Sequence, residues 1–176
     1  MIERDGETGD ALASEMRFRS VAQSANDAII TADSTGNVIF WNNGARAIFG
    51  YSEEEALGKP LSLLMPQRYR DAHEAGMERV HRTGETHVIG HTVELHGLRA
   101  DGTEFPLELS LAMWQEGGVT FYSGIIRDIT ERRETESRIQ ELNADLERRV
   151  AERTAEFESA NTSLQAQIRR AEEAIS

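Results

Sequence analysis

Residues 99–130, RADGTEFPLELSLAMWQEGGVTFYSGIIRDIT, decide the fold. Asp101-Gly102 is hairpin-turn chemistry, because a tight turn needs backbone that tolerates positive φ. Residues 103–113 then alternate. Phe105, Leu107, Leu109, Leu111 and Met113 fall on one face, and Glu104, Glu108 and Ser110 on the other. A period of two marks a half-buried strand. Glu116-Gly117-Gly118 turns the chain again into an apolar strand over residues 119–129. Two long antiparallel strands joined by a short turn are the centre of a sheet.

Working upstream, residues 89–95 predict a third long strand, with Ile89, His91, Val93 and Leu95 on its core face. Residues 67–82 predict a helix. Tyr69, Ala72, His73, Gly76, Met77 and Val80 recur at spacings of three and four, so they share one side, and Gly84 ends the run. Residues 27–33 and 38–41 predict a hairpin around Ser34-Thr35-Gly36-Asn37. Between that hairpin and the long helix, residues 44–49 predict a short helix stopped by Gly50. Ser52, with Glu55 three residues later, forms a capping box that opens another. Residues 61–65 are a short apolar piece ending at Pro66. Ahead of the hairpin, residues 14–24 predict a short amphipathic helix with Met16, Phe18 and Val21 as its apolar members, and residues 1–13 read as a flexible N-terminus.

Downstream, residues 130–176 contain no Gly and no Pro and are rich in Glu, Arg, Ala, Leu and Gln, which predicts one long helix. Ile139, Leu142 and Leu146 fit heptad positions a, d, a. Val150, Thr154, Phe157, Asn161, Leu164, Ile168, Ala171 and Ile175 continue as d and a in turn, one residue out of phase. Such a slip locally changes the supercoil. A narrow apolar stripe in a charged helix predicts a coiled coil, and Asn161 at an a position favours a parallel dimer in register. The other reading is a single helix folded back on its own domain.

Composition removes several functions. Thirty-one acidic residues against 19 basic give a formal charge of −12, which repels phosphate backbones and anionic membrane surfaces. No cysteine is present, so disulfides, thiolate metal sites and thiol-linked photochemistry are excluded. No apolar run reaches the roughly 18 residues that span a bilayer, and MIERDGETGD lacks the regions of a signal peptide. The expectation is a cytoplasmic chain with no nucleic-acid partner and no membrane insertion. There is no Gly-x-Ser-x-Gly elbow and no phosphate-cradling Gly loop. Glu53-Glu54-Glu55 opens a helix, where negative charge is favourable anyway. A phosphoacceptor-histidine segment and an ATP-binding domain are also missing, so this stretch by itself is not expected to be an enzyme.

The order DAIITADSTGNVIFWNNGARAIFGYSEEEALGKPLSLLMP, with RADGTEFPLELSLAMW and FYSGIIRDITER, resembles a PAS domain over residues 18–132. The resemblance implies an α+β PAS fold: a five-stranded antiparallel sheet with helices on one face, usually dimeric, sensing small molecules, light or redox state. The tail ELNADLERRVAERTAEFESAN resembles helical linkers that follow PAS domains in bacterial sensor histidine kinases and cyclic-di-nucleotide enzymes. The division expected is residues 14–129 for the sensor and 130–176 for a coiled-coil signalling helix. Asp128-Ile129-Thr130 matches the family's exit motif, in which Asp128 or Thr130 caps the long helix and ties it to the last strand.

The histidines divide by pattern. His81 and His96 sit among polar neighbours on outer faces, and His87 precedes the strand. His73 and His91 fall on apolar faces, where an imidazole is costly without a partner. Imidazole is also the common ligand of haem iron, so one histidine from a helix and one from the sheet suggest two sides of one metal. PQRYRDAHEAGMERVHRTGETHVIGHTVEL resembles the helix and strand of haem-binding PAS domains in bacterial oxygen sensors. That resemblance implies His73 as the proximal ligand, His91 where some members carry a second axial ligand, Arg79 and His87 near a propionate, Val88 beside them, and Leu109 and Leu111 on the distal side. Val93 departs from the family's oxygen-binding arginine, which favours a redox or other gas stimulus over oxygen. The leading expectation is a sensory input module for an output domain, working as a homodimer. The alternative is a cofactor-free PAS dimerisation module with a structural role, its histidine bonded to a backbone carbonyl.

Overall fold

A computed structural model describes the backbone of residues 4–83 and 90–175, and the side chains of residues 13–80, 82–83 and 90–173. Two compact units result, Met1–Thr130 and Glu131–Ser176. The first contains α1 (Arg4–Ser24), β1 (Ala28–Ala32), β2 (Val38–Trp41), α2 (Asn43–Phe49), α3 (Glu53–Ala56), a 3-10 turn (Leu61–Leu64), α4 (Gln67–Thr83), β3 (Thr92–Leu98), β4 (Glu104–Glu116) and β5 (Val119–Asp128). The second is α5, which runs Thr130–Ile175.

The five strands form one antiparallel sheet in the order β2-β1-β5-β4-β3. Alternation decides which residues face inward, and register lines them up across the sheet. One row is Ala28, Ile126, Leu109 and Val93, the next is Ile30, Gly124 and Leu111, and the third is Ala32, Tyr122 and Met113. Against this face lies a core built around Trp41, Phe49, Phe105, Leu107 and Leu64. Phe49 stands between Trp41, at 5.8 Å, and Phe105, at 5.5 Å edge-on. The Trp41 indole donates to the Tyr51 carbonyl at 3.2 Å, so a buried donor is satisfied.

Asn42 ties three elements together. Its side-chain oxygen accepts from Ile29 N and from Ala45 N, the latter as the N-cap of α2, both at 2.8 Å. Its amide donates to Ala22 O at 2.8 Å and Asp27 O at 3.0 Å. The residue is 1% exposed, so these bonds have no water to replace them. At the β1–β2 turn, the Asp33 carboxylate accepts from Thr35 N, Thr35 Oγ1 and Asn37 N. Burial pushes its pKa up, but the hydrogen bonds outweigh it and the net shift is downward. The Ser52–Glu55 capping box is formed in full.

The helix expected over residues 14–24 begins earlier, at Arg4. Its apolar spacing starts only at Met16, whereas helical hydrogen bonding needs no apolar residue, so the pattern underestimates its length. Met16, Phe18 and Val21 are 60–71% exposed, and among the described side chains of α1 it is Ala22 that is buried. Phe18 rests on Phe40 at 5.8 Å. The third long strand begins at Thr92, not Ile89. Gly90 takes φ +83°, which turns the chain before pairing starts at Thr92–Ser110. No helix of the described residues is long and apolar enough to cross a membrane.

In α5, Ile139, Leu142, Leu146, Val150, Phe157, Leu164 and Ile168 are all at least half exposed in the single chain. Ion pairs along the same helix, Arg148–Asp145 at 2.5 Å and Arg148–Glu152 at 2.8 Å, occupy its polar side. Asn161 is exposed.

Candidate functional site

A cavity of about 130 Å³ lies between the inner face of the sheet, the 3-10 turn and α4. Its floor follows from strand periodicity. Leu107, Leu109 and Leu111 come from β4, and Tyr122, Gly124 and Ile126 from β5. Leu61, Leu64 and Met65 close one side. Three polar side chains reach it, those of His73, His96 and Tyr122, and no lining residue is an aspartate, glutamate, lysine or arginine.

His73 comes from the half-buried side of α4. Burial holds its imidazole below the usual histidine range, opposed by the neighbouring Glu74 carboxylate, so the ring is neutral at pH 7. A neutral ring has one nitrogen lone pair free to accept a hydrogen bond or to ligate a metal. His73 and Leu61 also line a shallow surface groove with Glu74, Met77 and Glu78, and so stand between the cavity and solvent. Tyr122 is 7% exposed, and its hydroxyl has no hydrogen-bond partner among the described residues. Burial raises its pKa, keeping the phenol protonated.

α4 is the lightly held wall. None of its described side chains is fully buried. Its start is clamped to β4 by Arg68 and Glu104 at 2.6 Å, and Tyr69 Oη approaches His96 Nδ1 at 3.4 Å.

The expected site residues separate clearly. His73, Leu109 and Leu111 line the cavity together. Val93 is half-buried in the same sheet row as Leu109, yet off the cavity wall. Arg79 is half-buried on α4 and likewise not a lining residue. His91 differs from expectation: it is exposed, in the bend after Gly90, so it does not share the cavity with His73. The period-two count failed there because the strand had not yet begun. His96 is exposed, as expected of an outer-face residue, and also touches the cavity rim. His87 and Val88 lie outside the described residues. Among the described residues no group of three or more His, Asp or Glu side chains gathers as a metal site.

At the other end of the sheet, Asp128 Oδ1 accepts from Thr130 N at 2.9 Å and Thr130 Oγ1 at 2.6 Å, so Asp128 caps the start of α5. Its second oxygen takes Arg99 Nη2 at 2.5 Å. Asp128 is desolvated, which alone would raise its pKa; the bonds from Thr130 and Arg99 win and hold it below the usual carboxylate range. Ile129 N donates to Pro106 O at 3.1 Å, fixing the exit to β4.

Tyr122, Asn42 and Arg99 were not picked out by sequence reading. A signal existed for Tyr122: it falls two and four residues before Gly124 and Ile126, on the inward face. For Asn42 and Arg99 the partners lie in remote segments, and no local pattern points to them.

A profile of the PAS domain family matches residues 26–131. The chain is 37% identical over 132 residues to the sensor protein FixL of Bradyrhizobium diazoefficiens, covering 75% of this chain and 26% of that protein. It is 26% identical over 119 residues to the oxygen sensor protein DosP of Escherichia coli, covering 68% of this chain and 15% of that protein. The chain thus spans about a quarter or less of these relatives. Among solved structures, the PAS domain of a protein from Colwellia psychrerythraea superposes with a TM-score of 0.56 at 26% identity, over 66% of this chain and 97% of that one.

Proposed function

The chain belongs to the PAS domain family, and we propose that it is the ligand-sensing input module of a larger signalling protein. The observation that carries this reading is the apolar cavity, lined by three polar residues, His73, His96 and Tyr122, among aliphatic ones. A packed core has no use for such a space, and filling it stabilises the folded state by mass action. In this reading residues 14–129 sense and residues 130–176 signal. Ligand in the cavity bears on β4 and β5, whose ends meet at Asp128, and α5 passes the change to an output domain such as a histidine kinase or cyclic-di-nucleotide enzyme. Pairing of two copies through the PAS domain and through the exposed stripe of α5 completes the module.

The test uses the purified chain. Small neutral cyclic molecules are titrated while thermal unfolding is followed. A saturable rise in the midpoint, absent in Gly124→Leu, supports a ligand site. No rise with any probe, haem included, favours the cofactor-free dimerisation module instead.

Haem is a second reading, favoured by one observation: a neutral imidazole, His73, at an apolar cavity. His73 would hold it, with Leu109 and Leu111 among the apolar side chains around it. Haem would supply an iron centre for a diatomic gas or an electron. His91 is too exposed to serve as partner ligand. A cavity of about 130 Å³ accepts a benzene-sized molecule, so a macrocycle requires α4 to stand further from the sheet. Titration with haemin tests this directly. An intense violet absorption band that His73→Ala abolishes supports it, and a featureless titration rejects it.

A further inference from the structure

The wall of the cavity offers almost nothing to a polar ligand. Ile30, Leu64, Leu95, Leu107, Leu109 and Ile126 give it an aliphatic surface. Of the three polar residues on it, Tyr122 keeps its hydroxyl sealed within the protein, so it presents no donor to the space. His96 is exposed, with Tyr69 Oη 3.4 Å from its Nδ1, and touches only the rim. His73 stands where the cavity borders the surface groove, and its ring is neutral. No aspartate, glutamate, lysine or arginine lines the space.

Each class of occupant meets that wall differently. An ion would lose its hydration with no opposite charge to replace it. A water held inside a protein makes roughly two to four hydrogen bonds, which this wall does not supply. A hydroxyl or amide group would be desolvated for the same poor return. A hydrocarbon gives up no hydrogen bond on entering and gains contacts with the aliphatic side chains. Size narrows the class further. The space of about 130 Å³ is close to the dry apolar cavities of about 150 Å³ that accept benzene or xenon.

We propose that the ligand of this module is a small hydrocarbon without polar atoms, a single ring of the benzene or toluene class. This names the ligand class and rests on the reading of the cavity as a ligand site. The ring sits against Leu107, Leu109 and Ile126. Leu107 pairs with Asp128 and Leu109 with Ile126, so the occupant presses on the stretch of sheet from which α5 is capped.

The test follows backbone amide NMR shifts of the full chain during titration with benzene, phenol and benzylammonium, which share a ring and differ by one group. Benzene should saturate, with shifts at Leu107, Leu109 and Ile126 that extend to Asp128 and Thr130. Phenol should bind at least about tenfold more weakly, the cost of a hydroxyl without a partner, and benzylammonium not at all. Leu111→Phe fills the space and should weaken benzene at least about tenfold. Leu109→Ala widens it and should admit naphthalene, which the wild-type chain excludes; this variant carries the test if Leu111→Phe fails to fold. Phenol as tight as benzene overturns the hydrocarbon class and leaves the cavity as a site for a polar ligand. Benzene shifts that stop short of Asp128 and Thr130 overturn the hydrocarbon as the signal. Unaltered benzene binding in a folded Leu111→Phe, or no naphthalene binding in Leu109→Ala, puts the site elsewhere and overturns it too. Binding of none of the three probes to the wild-type chain overturns both the hydrocarbon and the small-ligand reading.

Discussion

Arg99 Nη2 lies 2.5 Å from Asp128 Oδ2, joining the turn between β3 and β4 to the last residue of β5. The same guanidinium donates to the Ile48 carbonyl of α2 and covers the Phe105 ring at 3.8 Å. One planar cation therefore links the helical layer, the sheet and the carboxylate that caps α5. A lysine in its place has no fork and no flat face to do this.

Arg99→Ala and Asp128→Ala should each lower unfolding stability by about 1–3 kcal/mol, and the double variant should fall short of their sum. Chemical denaturation of the four proteins measures both quantities. The folded carboxyl of Asp128 titrates below its unfolded value. Its contribution is therefore complete above pH ~3.9 and disappears as pH falls through the folded pKa. Asp128→Asn should flatten that acid limb, and strict additivity of the two alanine variants would deny the coupling.

Asn42→Ala removes four hydrogen bonds from a buried side chain and takes the amide donor from the Ala22 and Asp27 carbonyls. The expected cost is about 2–4 kcal/mol in thermal or denaturant unfolding. Hydrogen exchange should quicken most at Ile29 and Ala45, whose amides lose their acceptor. A cost under about half a kcal/mol would contradict the assigned role.

His73 governs a milder acid sensitivity. Burial disfavours the charged ring in the folded state, so below its ordinary value of 6.5 the unfolded chain takes up more protons. By linkage, stability rises with pH through that window and falls as the medium is acidified toward the lower, folded value. His73→Leu should shrink the stability difference between pH 7.5 and pH 5.5, leaving the steeper loss near pH 4 in place. An unchanged profile would mean that the imidazole is hydrated in the fold.

The α5 stripe carries a prediction about assembly. Sedimentation at micromolar concentration should show a dimer, and placing charge in the seam with Phe157→Asp and Leu164→Asp should weaken association at least ~100-fold. Asn161→Ile should tighten it while relaxing register. A monomeric wild-type chain would end the paired-helix reading.

Residues 99–130 alone carried most of the sheet. Alternation in Phe105–Leu107–Leu109–Leu111 and the turns at Asp101-Gly102 and Glu116-Gly117-Gly118 are local properties, and they led to β4 and β5 directly. His73 was legible for the same reason, since helical spacing sets it on the apolar side of α4. His91 was not. A period of two holds only inside a strand, and the turn at Gly90, which delays β3, is fixed by pairing with β4.

The sequence by itself determined the element order, the inward faces of β4 and β5, the Ser52–Glu55 capping box and the charged, apolar-striped helix that follows, because each depends on neighbours within a few residues. The tertiary structure alone decided which polar groups meet. Tyr122 became a cavity residue by lining the same space as His73, Asn42 a clamp by lying between Ala22 and Ile29, and Arg99 a link by meeting Asp128. Burial and hydrogen-bond partnership are relations between distant segments, set by sheet register and packing, and no one-dimensional pattern contains them.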